Sequence, residues 1–322
     1  MDLKQLHAVI AVAEAGSVTR AAEVLHLVQP AVSRQIRLLE DELDVPLFNR
    51  TKQGMVPTED GRLFIDYARR ALRELERARA EIGPGRTELH GQVAVGLLPS
   101  VADLLAEAIV LRTRAAHPSV RISITTGYAG HLAEWIDSAE IELGLLYHIR
   151  PAAAVDTHDL IDEPLWAVGP PDAGLDPEHP IALTDLASRS LVLPSAPHAL
   201  RSMVERAAAK TGCNLEIAAE TNSMQVQSAL VIAGVGYTVL PVTAVTDQIR
   251  AGQLSASPLL DEALRRRLVL AIPSTRHLAP AVYAVADVVR ESVAEAASSE
   301  SWPLARWIGG RTTARPQRRS TP

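Results

Sequence analysis

The chain has a single cysteine, Cys213, among 322 residues. An intramolecular disulfide is therefore excluded, and such usage fits a reducing cytoplasm. Cys213 follows Gly212 and reads as a small buried hydrophobe rather than a reactive thiol. No apolar run reaches the roughly 18 residues that a membrane span needs. The opening MDLKQLHAVIAVAEAGS lacks a basic leader ahead of a long apolar stretch, so it does not read as a secretory signal. H-E-x-x-H, G-x-S-x-G and cysteine clusters are also missing, which removes the common zinc and serine-nucleophile chemistries. Gly234 and Gly236 have G-x-G spacing without a third glycine, and they follow a helical pattern rather than a strand. They read as a helix-to-strand turn, not a dinucleotide loop. These absences point to a soluble cytoplasmic protein with no metal, no cofactor and no catalytic residues.

What is present is ample apolar material, 47% of residues, in a chain long enough for two or three domains. The formal charge of −6 is unevenly spread. Residues 1–83 hold 12 Lys+Arg against 13 Asp+Glu, residues 84–305 hold 15 against 25, and residues 306–322 hold five arginines and no acid. The acidic balance belongs to the middle of the chain and argues against nonspecific polyanion binding there. It leaves open a nucleic-acid module at the N-terminus.

Leu3, Leu6, Val9, Ile10 and Ala13 predict a first helix that stops at Gly16. Ser17 is placed to cap a second, VTRAAEVLH, and Pro30 to open a third. VPLFNRTKQGMVPT predicts two short strands around a polar tip, Thr51–Gly54, and Thr58 caps a long helix. That helix carries a stripe of Phe64, Tyr67, Ala68, Ala71, Leu75, Ala78 and Ile82. Gly83, Pro84 and Gly85 mark the domain boundary. Strand and helix patterns then alternate to about Ala297, which predicts parallel sheets covered by helices. The segment 298–322 reads as a disordered basic tail.

At about 100° per residue, Gln29, Pro30, Ser33, Arg34 and Arg37 share one side of the third helix. Val32, Ile36, Leu39 and Leu43 share the other. Arginine reads guanine edges, glutamine reads adenine, and serine serves a base or a phosphate. An ordinary amphipathic helix with solvated arginines has the same pattern. The tight turn before it, the small Ala21 and Ala22, and a following wing with Arg50 and Lys52 favour a DNA-reading winged helix-turn-helix. The acids Glu40, Asp41, Glu42 and Asp44 fall at the other end of that helix.

GSVTRAAEVLHLVQPAVSRQIRLLEDEL together with FNRTKQGMVPTEDG resembles the LysR-type transcriptional regulators, and the resemblance runs from Leu3 to about Ala297. RTKQGMVPTEDG, GQVAVGLLPS, LGLLYH and GYTVLP resemble the subgroup of the nitrogen-assimilation control regulator. The resemblance implies an α/β chain with a winged helix-turn-helix at 1–58, a linker and dimerisation helix with its hinge at 59–85, and an effector domain at 91–297. That domain is expected to be periplasmic-binding-protein-like, with one lobe at about 91–162 and 267–297 and the other at about 163–266. The implied partners are double-stranded DNA, further copies of the chain as a homodimer or homotetramer, a small-molecule effector and RNA polymerase. The DNA-facing residues become Ser17, Thr19, Arg20, Gln29 and Pro30, with Ser33, Arg34, Arg37, Arg50 and Lys52. The family usually has Ser or Thr before the Gln-Pro pair, where this chain has Val28, which removes a capping hydroxyl.

In two-lobed α/β folds, ligands lie at strand C-termini and helix N-termini. Four such junctions nominate Ser100, Thr126, Ser195 with His198 and Arg201, and Asn222 as effector-facing. Arg201 is the expected anchor for an anionic ligand, while helix capping by Ser and Asn with an exposed arginine accounts better for any one of these residues alone, and the cluster as a whole carries the ligand reading. The alternative function is an α/β solute-binding or enzymatic protein whose N-terminal module serves self-association alone.

Overall fold

In a computed structural model the chain forms two compact units. Met1–Gly91 falls in the first, and Gln92–Asp137 with Ile141 onward in the second. The structure describes residues 1–310 apart from 53, 82–87, 148–154, 187 and 276. Ile82 and the boundary triplet Gly83, Pro84, Gly85 lie outside the described residues, as does the tail from 311.

The first unit comprises α1 (Leu3–Ala15), α2 (Val18–Val24), α3 (Gln29–Leu43), the hairpin β1 (Phe48–Thr51) and β2 (Gly54–Pro57), and α4 (Glu59–Glu81). Asp2 opens α1 with a reciprocal cap, its side chain accepting from the Gln5 amide while Gln5 accepts from the Asp2 amide. Gly16 closes α1 at φ +62°, a left-handed conformation that favours glycine. Val9, Val12, Ala21, Ala22, Val32, Ile36, Leu39 and Leu47 form the core between the three helices. Each large aliphatic side chain fully buried there contributes about 1.5–3 kcal/mol. Leu43, expected on the buried side of α3, is instead exposed, because α3 ends there and Asp44 turns the chain away at φ +55°.

Thr58 caps α4 as expected, its Oγ1 accepting from the Gly61 amide at 2.9 Å. The expected stripe of α4 divides in two. Phe64 and Ala68 turn inward with Ile65, which packs on the unit's own core, while Tyr67, Ala71, Leu75 and Ala78 are exposed together with Leu63. The reason lies in the first turns of α4, which must cover Leu47 and Phe48 of the same chain before the helix runs on.

The second unit is built on two sheets. Its elements in order are β3 (Gly91–Leu97), α5 (Pro99–Ala116), β4 (Val120–Thr126), α6 (Ala129–Asp137), β5 (Leu143–Tyr147) and β6 (Val155–Pro164). There follow β7 (Trp166–Gly169), α7 (Leu183–Leu186), β8 (Ser190–Leu193), α8 (Ala199–Thr211), β9 (Glu216–Glu220) and α9 (Met224–Ile232). The chain continues through β10 (Thr238–Leu240), α10 (Thr246–Arg250), β11 (Ser255–Pro258), β12 (Arg265–Pro273), α11 (Pro280–Ala297) and β13 (Arg306–Trp307). One sheet has the order β13-β6-β12-β5-β3-β4. The other joins β10-β7-β11 to the pair β8-β9 through a bridge between Leu191 and Tyr237.

The sheets are mixed rather than parallel. β3 pairs parallel with β5 and β8 with β9, but β12 runs antiparallel to both β5 and β6, and β7 antiparallel to β10 and β11. The stretch LIDEPLWAVGP contains the end of one strand and the whole of another, in different sheets, with Leu165 between them. The return crossing joins β11 to β12. Leu165 ties the crossings together: its amide donates to the Leu264 carbonyl at 2.8 Å, and its carbonyl accepts from Leu259 at 3.0 Å.

The glycine pair Gly234–Gly236 is a helix-to-strand turn. A Cβ on Gly236 would lie 2.2 Å from the Ser190 carbonyl oxygen, so close backbone approach to β8 explains that glycine. Cys213 is half-buried against the core of the second sheet.

Residues 298–310 form an ordered segment, not a tail. Trp302 is 1% exposed, β13 pairs antiparallel with β6, and the Ile308 amide donates to the Leu160 carbonyl at 2.9 Å. Burial of one large indole and the pairing of two strand residues with β6 outweigh the polar composition that suggested disorder.

Candidate functional site

Two sites emerge, one in each unit. On α3, Gln29, Pro30, Arg34 and Arg37 are exposed and Ser33 is half-exposed. The Gln29 amide donates to Ser33 Oγ at 2.8 Å, which fixes two polar groups on the face beside the guanidinium pair. Val28 occupies the cap position of α3 and makes no side-chain cap. Ser17 stands at the cap of α2 but likewise makes no side-chain cap hydrogen bond. Thr19 and Arg20 on α2 are exposed, as are Arg50 on β1 and Lys52 at the hairpin tip. The acids at the far end of α3 have structural partners: Glu40 accepts from the Leu47 amide at 2.7 Å, and Glu42 pairs with the N-terminal amine. The cationic face is therefore open, and two of the carboxylates are occupied within the unit.

The second site is a cavity of about 480 Å³ in the second unit, at the C-terminal ends of β3, β5, β8 and β10 and the N-terminal ends of α5, α6, α8 and α9. Ser100, His198 and Asn222 line it, as expected. Thr126, Ser195 and Arg201 do not. Thr126 ends β4 and faces a second, adjoining cavity of about 590 Å³ that shares Pro99, Tyr128 and Met224 with the first. The Ser195 amide donates to Asn222 Oδ1 at 3.1 Å. Arg201 is engaged by Glu205 at 2.6 Å, Glu220 at 2.9 Å and the Pro194 carbonyl at 3.3 Å. Burial works against its charge, yet the hydrogen bonds and charges of the two glutamates hold its pKa above the ordinary arginine value. Arg201 is thus a strut of α8 rather than an anchor for a ligand.

Among the described residues the cation of the cavity is Arg266, which sequence reasoning missed. Successive strand residues point to opposite faces. Arg265 and Arg267 pair with Asp162 and Asp159, while Arg266 turns inward, 8% exposed, onto Glu163. Its Nε donates to Glu163 Oε1 at 2.7 Å. Its Nη2 lies 2.6 Å from the same oxygen yet has no hydrogen bond of its own among the described residues. The guanidinium stacks 3.5 Å over the Tyr147 ring, and the Tyr147 hydroxyl sits 2.7 Å from Ser100 Oγ. Burial pushes the Tyr147 phenol above its ordinary pKa, opposed by the Arg266 charge. Burial, and after it the charge of Arg266, lowers the pKa of His198, whose Nδ1 accepts from the Leu200 amide at 3.2 Å. His198 is therefore neutral near pH 7. Tyr128 meets His198 edge-on at 5.6 Å and donates to the Asn222 carbonyl. Leu98, Leu200, Met203, Met224 and Leu240 supply much of the remaining wall.

Among the described residues there is no group of three or more metal-ligating side chains, and no helix is long and apolar enough to cross a membrane. Residues 3–62 match the bacterial regulatory helix-turn-helix protein of the lysR family, and residues 86–294 match the LysR substrate binding domain. The chain is 31% identical to the nitrogen assimilation regulatory protein nac of Klebsiella aerogenes over 90% of its own length and 94% of that protein. Full-length OxyR from Pseudomonas aeruginosa has the same fold, with a TM-score of 0.70 at 24% identity over 98% of this chain and 99% of that one. So does full-length CbnR complexed with its target DNA, with a TM-score of 0.70 at 23% identity over 91% of this chain and all of the other. With both of its parts matched in order and a relative of this similarity along nearly its whole length, the chain belongs to the LysR family of transcriptional regulators.

Proposed function

We propose that the protein binds double-stranded DNA in the cytoplasm through α3 and the β1–β2 wing, as a homodimer or a multiple of it, and that a small molecule in the second unit's cavity controls the outcome at RNA polymerase. The observation that carries the DNA reading is the open face of Gln29, Ser33, Arg34 and Arg37, with Arg50 and Lys52 exposed on the same unit. Phosphate contacts from the wing would supply affinity and orientation, and base-edge contacts from α3 would supply sequence choice. Thr19 and Arg20 on α2, with Ser17 at its start, are assigned to the backbone. Self-association alone gives no reason for an exposed guanidinium pair beside an ordered amide and hydroxyl. The exposed Leu63, Tyr67 and Leu75 of α4 are assigned to a second copy, which would set two α3 helices against a two-fold site.

The cavity is suited to a compact ligand with an apolar body and one acidic group at the Arg266 end. Apolar walls, a neutral His198 and the Arg266 guanidinium in the lining support that reading. Among the described residues no nucleophile paired with a base lines it, so the role assigned is sensing rather than turnover. A gel shift with the gene's own upstream region at two salt concentrations tests the first half. Binding that weakens steeply with salt is expected, and no binding even at low salt would sink the reading.

A further inference from the structure

The five groups Ser100, Tyr147, Arg266, Glu163 and Trp302 make one continuous chain from the cavity to the ordered segment beyond α11. Ser100 Oγ meets the Tyr147 hydroxyl at 2.7 Å, the Tyr147 ring carries the Arg266 guanidinium at 3.5 Å, and Arg266 Nε donates to Glu163 Oε1 at 2.7 Å. Glu163 Oε2 then accepts from the Trp302 indole N–H at 2.7 Å. Each oxygen of Glu163 thus has a different partner, one from the cavity cation and one from the C-terminal segment. Glu163 and Trp302 are both 1% exposed, so this carboxylate meets no solvent that could replace either partner.

We propose that Trp302 is a positioning residue for the cavity, setting through Glu163 how strongly Arg266 is drawn away from a bound acidic group. This inference rests on the ligand reading above. A buried carboxylate with one partner removed places its whole demand on the other, because an unsatisfied ion in a dry interior is costly. With the indole donor present, Glu163 shares its charge between Trp302 and Arg266. Without it, the carboxylate draws harder on the guanidinium, whose Nε and Nη2 already lie 2.7 and 2.6 Å from Oε1, and so away from the cavity that Arg266 lines. The segment is held for this role by its own contacts on β6. Arg306 reaches Asp162 Oδ2 at 3.2 Å, on the residue next to Glu163, and β13 pairs with Ile161 and Asp162. Trp302 also lies outside residues 86–294, the span of the substrate binding domain match. The part that senses the ligand would then include chain beyond that domain.

The test uses the full-length protein, with hexanoate and hexanamide as probes of equal apolar length, and side-chain exchange of Arg266 Nε–H in protein labelled with ¹⁵N-arginine. The Arg266 signal is identified by its loss in Arg266→Met. Trp302→Phe removes the N–H donor and keeps most of the ring. Expected is about tenfold weaker hexanoate binding, equivalent to about 1.4 kcal/mol, with hexanamide unchanged and Arg266 Nε–H exchange altered. Loss of both probes by equal factors means a loosened core and overturns the proposal. So does unchanged Arg266 exchange in Trp302→Phe. If the wild type binds no hexanoate, or Arg266→Met binds it normally, the acidic-ligand reading falls by itself, and the exchange measurement still decides whether Trp302 sets Arg266.

Discussion

Gly61 offers a sharp test of how α4 is seated on the helix-turn-helix core. It occupies the first turn of α4, where Thr58 Oγ1 accepts from its amide. A Cβ at this position would lie 2.0 Å from the Leu47 carbonyl oxygen and 2.9 Å from its carbon. Both are backbone atoms, so no rotamer change relieves the overlap. The same Leu47 carbonyl accepts from the Thr58 amide at 3.0 Å, and Thr58 Oγ1 donates to Pro46 at 2.8 Å. Moving α4 outward by the required ångström or so strains these bonds and opens the packing around Ile65. Alanine in place of glycine should gain up to about 1 kcal/mol of helix propensity. Overpacking costs about 1–3 kcal/mol, and each weakened hydrogen bond about 0.5–1.5 kcal/mol. The overlap wins, and Gly61→Ala should destabilise the first unit by about 2–3 kcal/mol on those terms. For a unit of this size that lowers its melting temperature by about 10–20 °C. The four tryptophans, at 135, 166, 302 and 307, all belong to the second unit, so far-UV circular dichroism should show an early helical transition while tryptophan fluorescence keeps its wild-type midpoint. A control is Gly130→Ala in α6, where a Cβ meets nothing within 4 Å and stability should hold or rise. A Gly61→Ala protein whose helical transition matches the wild type would refute the close approach of α4 to Leu47.

Arg34→Ala should cost about 1–3 kcal/mol and relax preference at one operator position, whereas Lys52→Ala should weaken binding evenly across sequences and lower the salt slope by about one. Quantitative gel shifts over an operator-variant panel separate the two, and normal operator binding by Arg34→Ala removes that residue from base readout. Leu75→Glu on the exposed side of α4 should give monomers with poor DNA affinity; unchanged sedimentation would defeat the assignment of this face to a second copy. His198 has a depressed pKa in the folded chain, so the unfolded state binds the proton more readily and stability falls as pH drops below about 6.5. His198→Asn, which keeps a capping acceptor, should flatten this acid slope in melting curves followed by tryptophan fluorescence, and an unaltered slope would place the titrating group elsewhere.

The DNA-facing helix was legible because its signal is local. Val32, Ile36 and Leu39 recur at helical period, and the polar residues between them must face the other way. The family match and the α/β character followed from the same kind of short-range pattern. The cavity cation was not legible. Three consecutive arginines on a strand look alike until β6, about a hundred residues earlier, supplies the partners that turn one of them inward. Arg201 misled for a related reason: Glu205 is visible at one helical turn, but Glu220 comes from a different strand. The segment at 298–310 looked disordered because composition averages over a window, while its order depends on Trp302 finding a single buried carboxylate.

The paired crossings between the sheets have a mechanical consequence. β6 runs into β7 and β11 leads to β12, and on both sides of the crossing these strands are antiparallel neighbours, with Leu165 bonded to Leu264 and Leu259 at the junction. Two strands bonded along their length resist sliding, since any slip breaks several bonds at once, but they twist and flex as a single ribbon. Any opening of the cavity mouth that keeps these strands paired must therefore follow the twist of this ribbon, like a strap hinge rather than a ball joint. A molecule that touches only one wall exerts no torque on that ribbon, however tightly it binds. Only one long enough to bridge both walls would load it.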